Sequence, residues 1–140
     1  MIVKRVETEV ELRDAQHIRK QVFVYEQNVP IELELDEYEH DSVHFIAYKK
    51  QVPVGAARVR KVDGNAKVER VCVLKKYRRL GIGYLLMEEI EAFAMNQNWV
   101  PIRLHAQLNV VPFYKELGYT PCSERFYEAN IPHIAMKKER

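Results

Sequence analysis

Leu12, Ala15, Ile18 and Val22 recur three or four residues apart. That spacing gathers apolar side chains on one face, so an amphipathic helix is expected over roughly residues 10–26. Before it, Ile2 to Val6 alternates as a short strand. After it, the acidic stretch from Asn28 to Asp41 opens on Val29-Pro30 and reads as a loop with room for one short helix. Three strand-like runs follow. Val43 to Lys49 leads through a turn at Lys50-Gln51 into Pro53 to Val62, and Asp63-Gly64 is a strong hairpin signal before the valine-rich Ala66 to Leu74. Short turns between successive strands imply an antiparallel meander.

Past Leu80 the period changes. Ile82, Leu85, Leu86, Ile90, Phe93 and Ala94 share one face of a helix from about Gly81 to Met95, ended by Asn96-Gln97-Asn98. Pro101 to Ala106 is a strand, Val111 to Leu117 a short helix stopped by Gly118, and Tyr119 onward returns to strand. Strand, helix, strand in this half implies a parallel crossover. The expected fold is a mixed α/β sheet with helices on both faces.

The length of 140 residues suits a single domain over 1–140. A chain of this size buries roughly two thirds of its unfolded surface, enough to fold without a disulfide or metal. Cys72 and Cys122 lie far apart with no ligand spacing around them, which speaks against zinc and for reduced thiols. The start carries acidic residues and no apolar leader, and no run is long enough to span a bilayer, so the expected address is the cytoplasm. A net charge of +2 argues against a nucleic-acid binder working by bulk charge. Charge is nevertheless polarised: Lys75, Lys76, Arg78 and Arg79 form a cationic cluster, and Glu32, Glu34, Asp36, Glu37, Glu39 and Asp41 an acidic one.

The segment Val68-Glu69-Arg70-Val71-Cys72-Val73-Leu74-Lys75-Lys76-Tyr77-Arg78-Arg79-Leu80-Gly81-Ile82-Gly83 carries the chemistry. A strand runs into a basic loop with two glycines that opens directly into a helix. Glycine leaves backbone amides uncovered, and at a helix N-terminus those amides and the dipole favour an anion. The pattern is a pyrophosphate cradle. A nucleotide P-loop would need Lys-Ser/Thr where Tyr84-Leu85 stands, and a dinucleotide fold a third glycine or alanine where Leu86 stands. The spacing Arg78-x-x-Gly81-x-Gly83 resembles the Arg/Gln-x-x-Gly-x-Gly/Ala signature of GNAT acetyltransferases. Asn109-Val110-Val111-Pro112-Phe113-Tyr114-Lys115-Glu116-Leu117-Gly118-Tyr119 is similar to a second GNAT element, with Pro112 where small residues are usual. Val22 to Pro30, Asp36, His44, His105-Ala106-Gln107 and Ile131-Pro132-His133 resemble one bacterial branch, related to ElaA and YjcF.

The resemblance implies the GNAT fold: about six or seven strands, mostly antiparallel with one splayed parallel pair, and about four helices. It implies acetyl-CoA as donor and an amine as acceptor, with no metal. Pantetheine would lie along the backbone of Val71, Cys72 and Val73, the Val71 amide polarising the thioester carbonyl. The turn Arg78, Arg79, Leu80, Gly81, Ile82 and Gly83 would hold the pyrophosphate. Tyr114 would protonate the departing thiolate and also border the cofactor. Asn109 would contact the cofactor arm or cap the following helix. Glu69 is the candidate base, on the premise that strand alternation places it on the face of Val71; His105 would neighbour it. The Cys72 side chain then alternates away from the slot, which argues against covalent thiol catalysis. The acidic run could draw in a cationic amine or be a solvated loop. Competing readings are an acyl-homoserine-lactone synthase, an acyl-CoA sensor with this fold but no turnover, and a nucleic-acid binder. A homodimer is compatible with the sequence, and the acceptor's identity is left open.

Overall fold

A computed structural model describes residues 1–140. Strand β1 (Ile2–Arg5) leads into helix α1 (Glu9–Arg19). Thr8 caps that helix by accepting from the Glu11 amide while the Glu11 carboxylate accepts from Thr8, a reciprocal arrangement that satisfies two otherwise orphaned donors. The helix expected to continue to about residue 26 changes character first: Lys20–Glu26 winds as a π-helix. A wider turn of this kind is rare and concentrates at functional sites. A single turn, α2 (Ile31–Glu34), is all that orders helically in the acidic stretch.

The meander β2 (Val43–Lys49), β3 (Val52–Val62) and β4 (Asn65–Val73) follows. Its two-residue turns place Lys50 and Gln51, then Asp63 and Gly64, at positive φ, the primed-turn geometry that matches strand twist. Helix α3 (Ile82–Asn96) crosses to β5 (Ile102–Gln107), which pairs parallel to β4. After α4 (Val111–Glu116), the expected single last strand is three: β6 (Thr120–Pro121), β7 (Phe126–Glu128) and β8 (Ile131–Lys138). The sheet order is β1-β2-β3-β4-β5-β8-β6, with β7 also on β8 and every pair antiparallel except β4–β5. No helix is long and apolar enough to cross a membrane.

The two faces are packed separately. Ile82, Leu86, Met87, Ile90 and Ala94 of α3 pack with Val54, Ala57, Val59, Val68 and Leu104. On the opposite face, Ala15, Ile18 and Val22 meet Ile46, Ala56 and Cys72. Gly55 lets α3 approach: a Cβ there would lie 3.1 Å from Ile82 and 3.2 Å from Leu86.

Candidate active site

The parallel ladder between β4 and β5 is three residues long, ending at Val68 opposite Leu104. Beyond it the strands diverge. Arg70 sits at φ 61, and the register with β3 slips so that Ala56 faces Cys72 while Arg58 faces Glu69. This is a β-bulge, which inserts an unpaired residue and bends the strand. Leu74 donates its amide to Val54 on β3, so alternation turns the amides of Val71 and Val73 the other way, toward the gap. That free edge is the geometry expected for a pantetheine arm.

The bulge overturns one sequence expectation. Val68, Val71 and Val73 pack on the α3 face and Cys72 on the α1 face, so the parity of the strand flips at Arg70. Glu69 therefore does not share a face with Val71. Its carboxylate accepts from Arg58 Nε at 3.1 Å and Arg60 Nε at 2.9 Å, with Lys67 at 3.6 Å. Burial opposes ionisation, but Arg58, Arg60 and Lys67 outweigh it and hold the carboxyl below its usual range. A carboxylate stabilised by three cations is a weak proton acceptor.

Past β4, a 3₁₀ turn (Lys75–Tyr77) delivers the chain to Gly81, whose φ of 82 caps α3 without any side-chain bond. The first helical bond runs from Leu85 to Gly81, which leaves the amides of Ile82, Gly83 and Tyr84 unclaimed by the protein. A Cβ on Gly81 would meet nothing within 4 Å. Gly83 differs: its Cβ position lies 3.3 Å from the Phe113 ring, so it is Gly81 that opens on free space. Arg79 and Leu80 are exposed beside this turn. Arg78 is not free to meet an anion, because its guanidinium donates to both oxygens of Glu26 at 2.7 and 2.6 Å and its Nε to the Val73 carbonyl. It ties the cradle to the π-helix and the end of β4.

A cavity of about 970 Å³ joins these features, lined by Val71, Cys72, Val73, Gly81, Asn109 and Tyr114 among others. Tyr114 is buried, and burial raises its hydroxyl far above the ordinary tyrosine value, so it stays protonated at neutral pH. Burial also pushes the Cys72 thiol up to about 12, which leaves no thiolate for nucleophilic work. Asn109 lies exposed in the turn Leu108–Val110; α4 is capped by Val110 with no side-chain bond, so Asn109 is not the cap. Gln107 donates to Gln27 at 2.9 Å, roofing the cavity between β5 and the segment after the π-helix.

The cavity and the two free backbone edges fit an extended, phosphate-ended thioester, and the family comparison agrees. Residues 5–140 match the family described as an acetyltransferase (GNAT) domain. The chain belongs to the GNAT acetyltransferase family. It is 46% identical over 132 residues to the uncharacterized N-acetyltransferase YjcF of Bacillus subtilis, covering 94% of each chain. Escherichia coli ElaA is 32% identical over 127 residues, 87% of this chain and 83% of ElaA. The ElaA crystal structure superposes with a TM-score of 0.86, covering 99% of this chain and 100% of that one. A GNAT acetyltransferase from Elizabethkingia anophelis with acetyl-CoA bound, only 12% identical, shares the fold at a TM-score of 0.77 over 99% and 97% of the two chains. This GNAT chain is thus an acyltransferase of the ElaA/YjcF branch.

The acidic run of this GNAT domain divides: Glu32, Glu37 and Asp41 are exposed, whereas Glu34, Asp36 and Glu39 turn inward. Arg19 and Arg58, both fully buried, receive these three. Arg19 bonds Glu34 at 2.7 Å and both oxygens of Glu39 at 2.8 Å; Arg58 bonds Asp36 at 2.6 Å and Glu39 at 2.9 Å. Burial works against the Glu39 charge, yet Arg19 brings its carboxyl down to about 2. His44 is consumed by the same network: its Nε2 meets the Glu39 carbonyl at 2.9 Å and its Nδ1 the Arg19 guanidinium at 3.5 Å. Because Arg19 can only donate, the His44 proton lies on Nε2. Sequence reasoning missed these arginines; a charged residue at a core-facing helix position (Arg19) and a strand position (Arg58) was the available signal.

Proposed function

We propose that this enzyme transfers the acetyl group of acetyl-CoA to a primary amine by direct attack of the amine on the thioester. The observation that supports it most is the free β4 edge, from Glu69 to Val73, connected by the short turn at Lys75–Tyr77 to the unclaimed amides at the N-terminus of α3. Acetyl-CoA supplies an activated acyl group and a thiolate leaving group. Along this edge the backbone of Val71, Cys72 and Val73 aligns the arm, and the Val71 amide stabilises the negative charge that develops on the carbonyl oxygen. Amides of the Arg79–Gly83 turn hold the pyrophosphate, with Arg79 as the free guanidinium, while Asn109 borders the arm from the opposite wall. Tyr114, kept protonated by burial, donates the proton that makes thiolate departure favourable.

Thermal melts test the donor: acetyl-CoA should raise the melting temperature by several degrees and NAD and ATP should not, and equal shifts from all three would remove the reading. Thiol release across a panel of polyamines, aminoglycosides, amino sugars and peptide amines then tests transfer. Binding without release from any amine would favour an acyl-CoA sensor instead.

A further inference from the structure

At the opposite end of the cavity from the phosphate cradle, three strands bring together groups that the reading above leaves unused. His105 on β5 lies one residue beyond the last β4–β5 pair, at the fork where the strands part. Its neighbours Leu104 and Ala106 are buried in the α3-side core, so its ring projects on the other face, the face of Arg58 and Glu69. Both oxygens of Glu128 stand 3.2 Å from His105 Nδ1. Glu128 ends β7 just before a two-residue turn in which Ala129 and Asn130 both hold positive φ, 50 and 62. This tight turn pairs Glu128 with Ile131 and holds its Cα beside β8, while the carboxylate itself remains 47% exposed. Phe126 meets His105 edge-on at 4.9 Å and stacks on His133, fixing the plane of the His105 ring. His133 donates Nδ1 to the Ile131 carbonyl at 2.6 Å, and its Nε2 is 3.9 Å from Glu128, beyond hydrogen-bond reach.

A carboxylate only accepts, so the proton of neutral His105 must lie on Nδ1. Its Nε2 then carries a lone pair and has no protein partner, and the His105 side chain borders the cavity together with Glu128 and Lys67. This is the converse of His44, whose two nitrogens are both committed. We propose that His105 is the base of the acetyl transfer and that Glu128 is the positioning residue that fixes its tautomer and balances the imidazolium. The acceptor is an alkylamine arriving as its ammonium ion at the fork between β4 and β5. The ammonium gives one proton to His105 Nε2, which later passes it to solvent. The freed nitrogen pair forms the C–N bond, the C–S bond breaks with its electrons going to sulfur, and the second N–H proton replaces the one delivered to sulfur. The proposal rests on the acetyl-transfer reading for its substrate, though not for its tautomer.

The test begins on the free protein. Long-range ¹⁵N–¹H spectra of the histidine rings, with His105 assigned through His105→Gln, should show Nδ1 protonated and Nε2 bare. Glu128→Gln should abolish that preference, because an amide imposes no such demand. An Nε2-protonated His105 in the wild type overturns the proposal whatever the enzyme's activity. Kinetics follow with whichever panel amine releases CoA fastest. His105→Gln should lower kcat by roughly 10²- to 10⁴-fold, leave the acetyl-CoA melting shift intact and change KM for acetyl-CoA little. Glu128→Gln should lower kcat by a smaller factor in parallel with its spectral change. An unchanged kcat in His105→Gln, or a loss seen in His133→Gln alone, overturns the assignment. Absence of any acetyl-CoA shift in the wild type would instead strike the acetyl-transfer reading, and the spectra would then decide the His105–Glu128 pair by themselves.

Discussion

Replacing Glu39 by glutamine keeps the shape of the side chain and removes its charge from between two buried guanidinium groups. In the wild type the Glu39 carboxylate accepts from Arg19 Nη1 and Nη2, Arg58 Nη1 and Gln16, and its side chain is 10% exposed. Each tenfold change in proton affinity is worth about 1.4 kcal/mol. The fall from an ordinary 4.5 to about 2 therefore represents about 3 kcal/mol of folding stability, similar to the cost of breaking a buried ion pair by removing one partner. Because the folded value is the lower one, this contribution is full above the unfolded value near 4.5 and disappears as pH falls through about 2. Urea denaturation should thus show Glu39→Gln about 3 kcal/mol less stable at pH 7, with the gap closing steadily below pH 5. A gap that stays constant from pH 7 to pH 3, or one under about 1 kcal/mol at pH 7, would refute the ion-pair argument.

Two substitutions probe the two ends of the donor site. Tyr114→Phe removes a hydroxyl that bonds no protein group from a side chain lining the cavity, so melting temperature and acetyl-CoA binding should hold while kcat falls by roughly 10²-fold or more; undiminished turnover would remove Tyr114 from the mechanism. Gly83→Asp places a carboxylate in the first turn of α3, where the helix dipole favours it and it competes with the pyrophosphate for the same amides, while its Cβ, 3.3 Å from the Phe113 ring, pushes that ring aside. Loss of the acetyl-CoA melting shift is expected, along with a small drop in the unliganded melting temperature from the displaced Phe113 ring, and unchanged binding would refute the placement of the cradle.

The order of elements was legible because each carried a local signal: helical spacing at Leu12 to Val22, Asp63-Gly64 between strands, and the glycine turn before α3. What escaped was set by contacts distant in sequence. Glu69 misled because alternation presumes a regular strand, and the Arg70 bulge leaves no mark in the residue pattern. Arg78 was legible as part of a basic cluster but not as the partner of Glu26, fifty-two positions away. Glu128 was invisible for the same reason: the turn Ala129-Asn130 lacks the glycine that announces most such hairpins, so β7 merged into one long expected strand.

That bulge is the feature on which the splay turns, and Arg70 is what holds it. Its Nη2 donates to the Leu33 carbonyl at 3.0 Å and to Asp36 at 3.1 Å, fastening the kinked strand to α2 and the acidic run. Arg70→Ala and Arg70→Gly both remove these charged hydrogen bonds, each worth about 1.5–3 kcal/mol, so both variants should be less stable than the wild type. They differ only in the backbone. A left-handed residue with a side chain costs about 1–2 kcal/mol, whereas glycine gives back roughly half of that in unfolded-state entropy. Arg70→Gly should therefore be the more stable of the two by about 0.5–1 kcal/mol, the reverse of the order expected inside a regular strand, where glycine is the worse residue. If alanine proves the more stable replacement, position 70 is not left-handed in solution. The strand would then be regular, Glu69 would return to the face of Val71, and the case against it as the base would fall with the bulge.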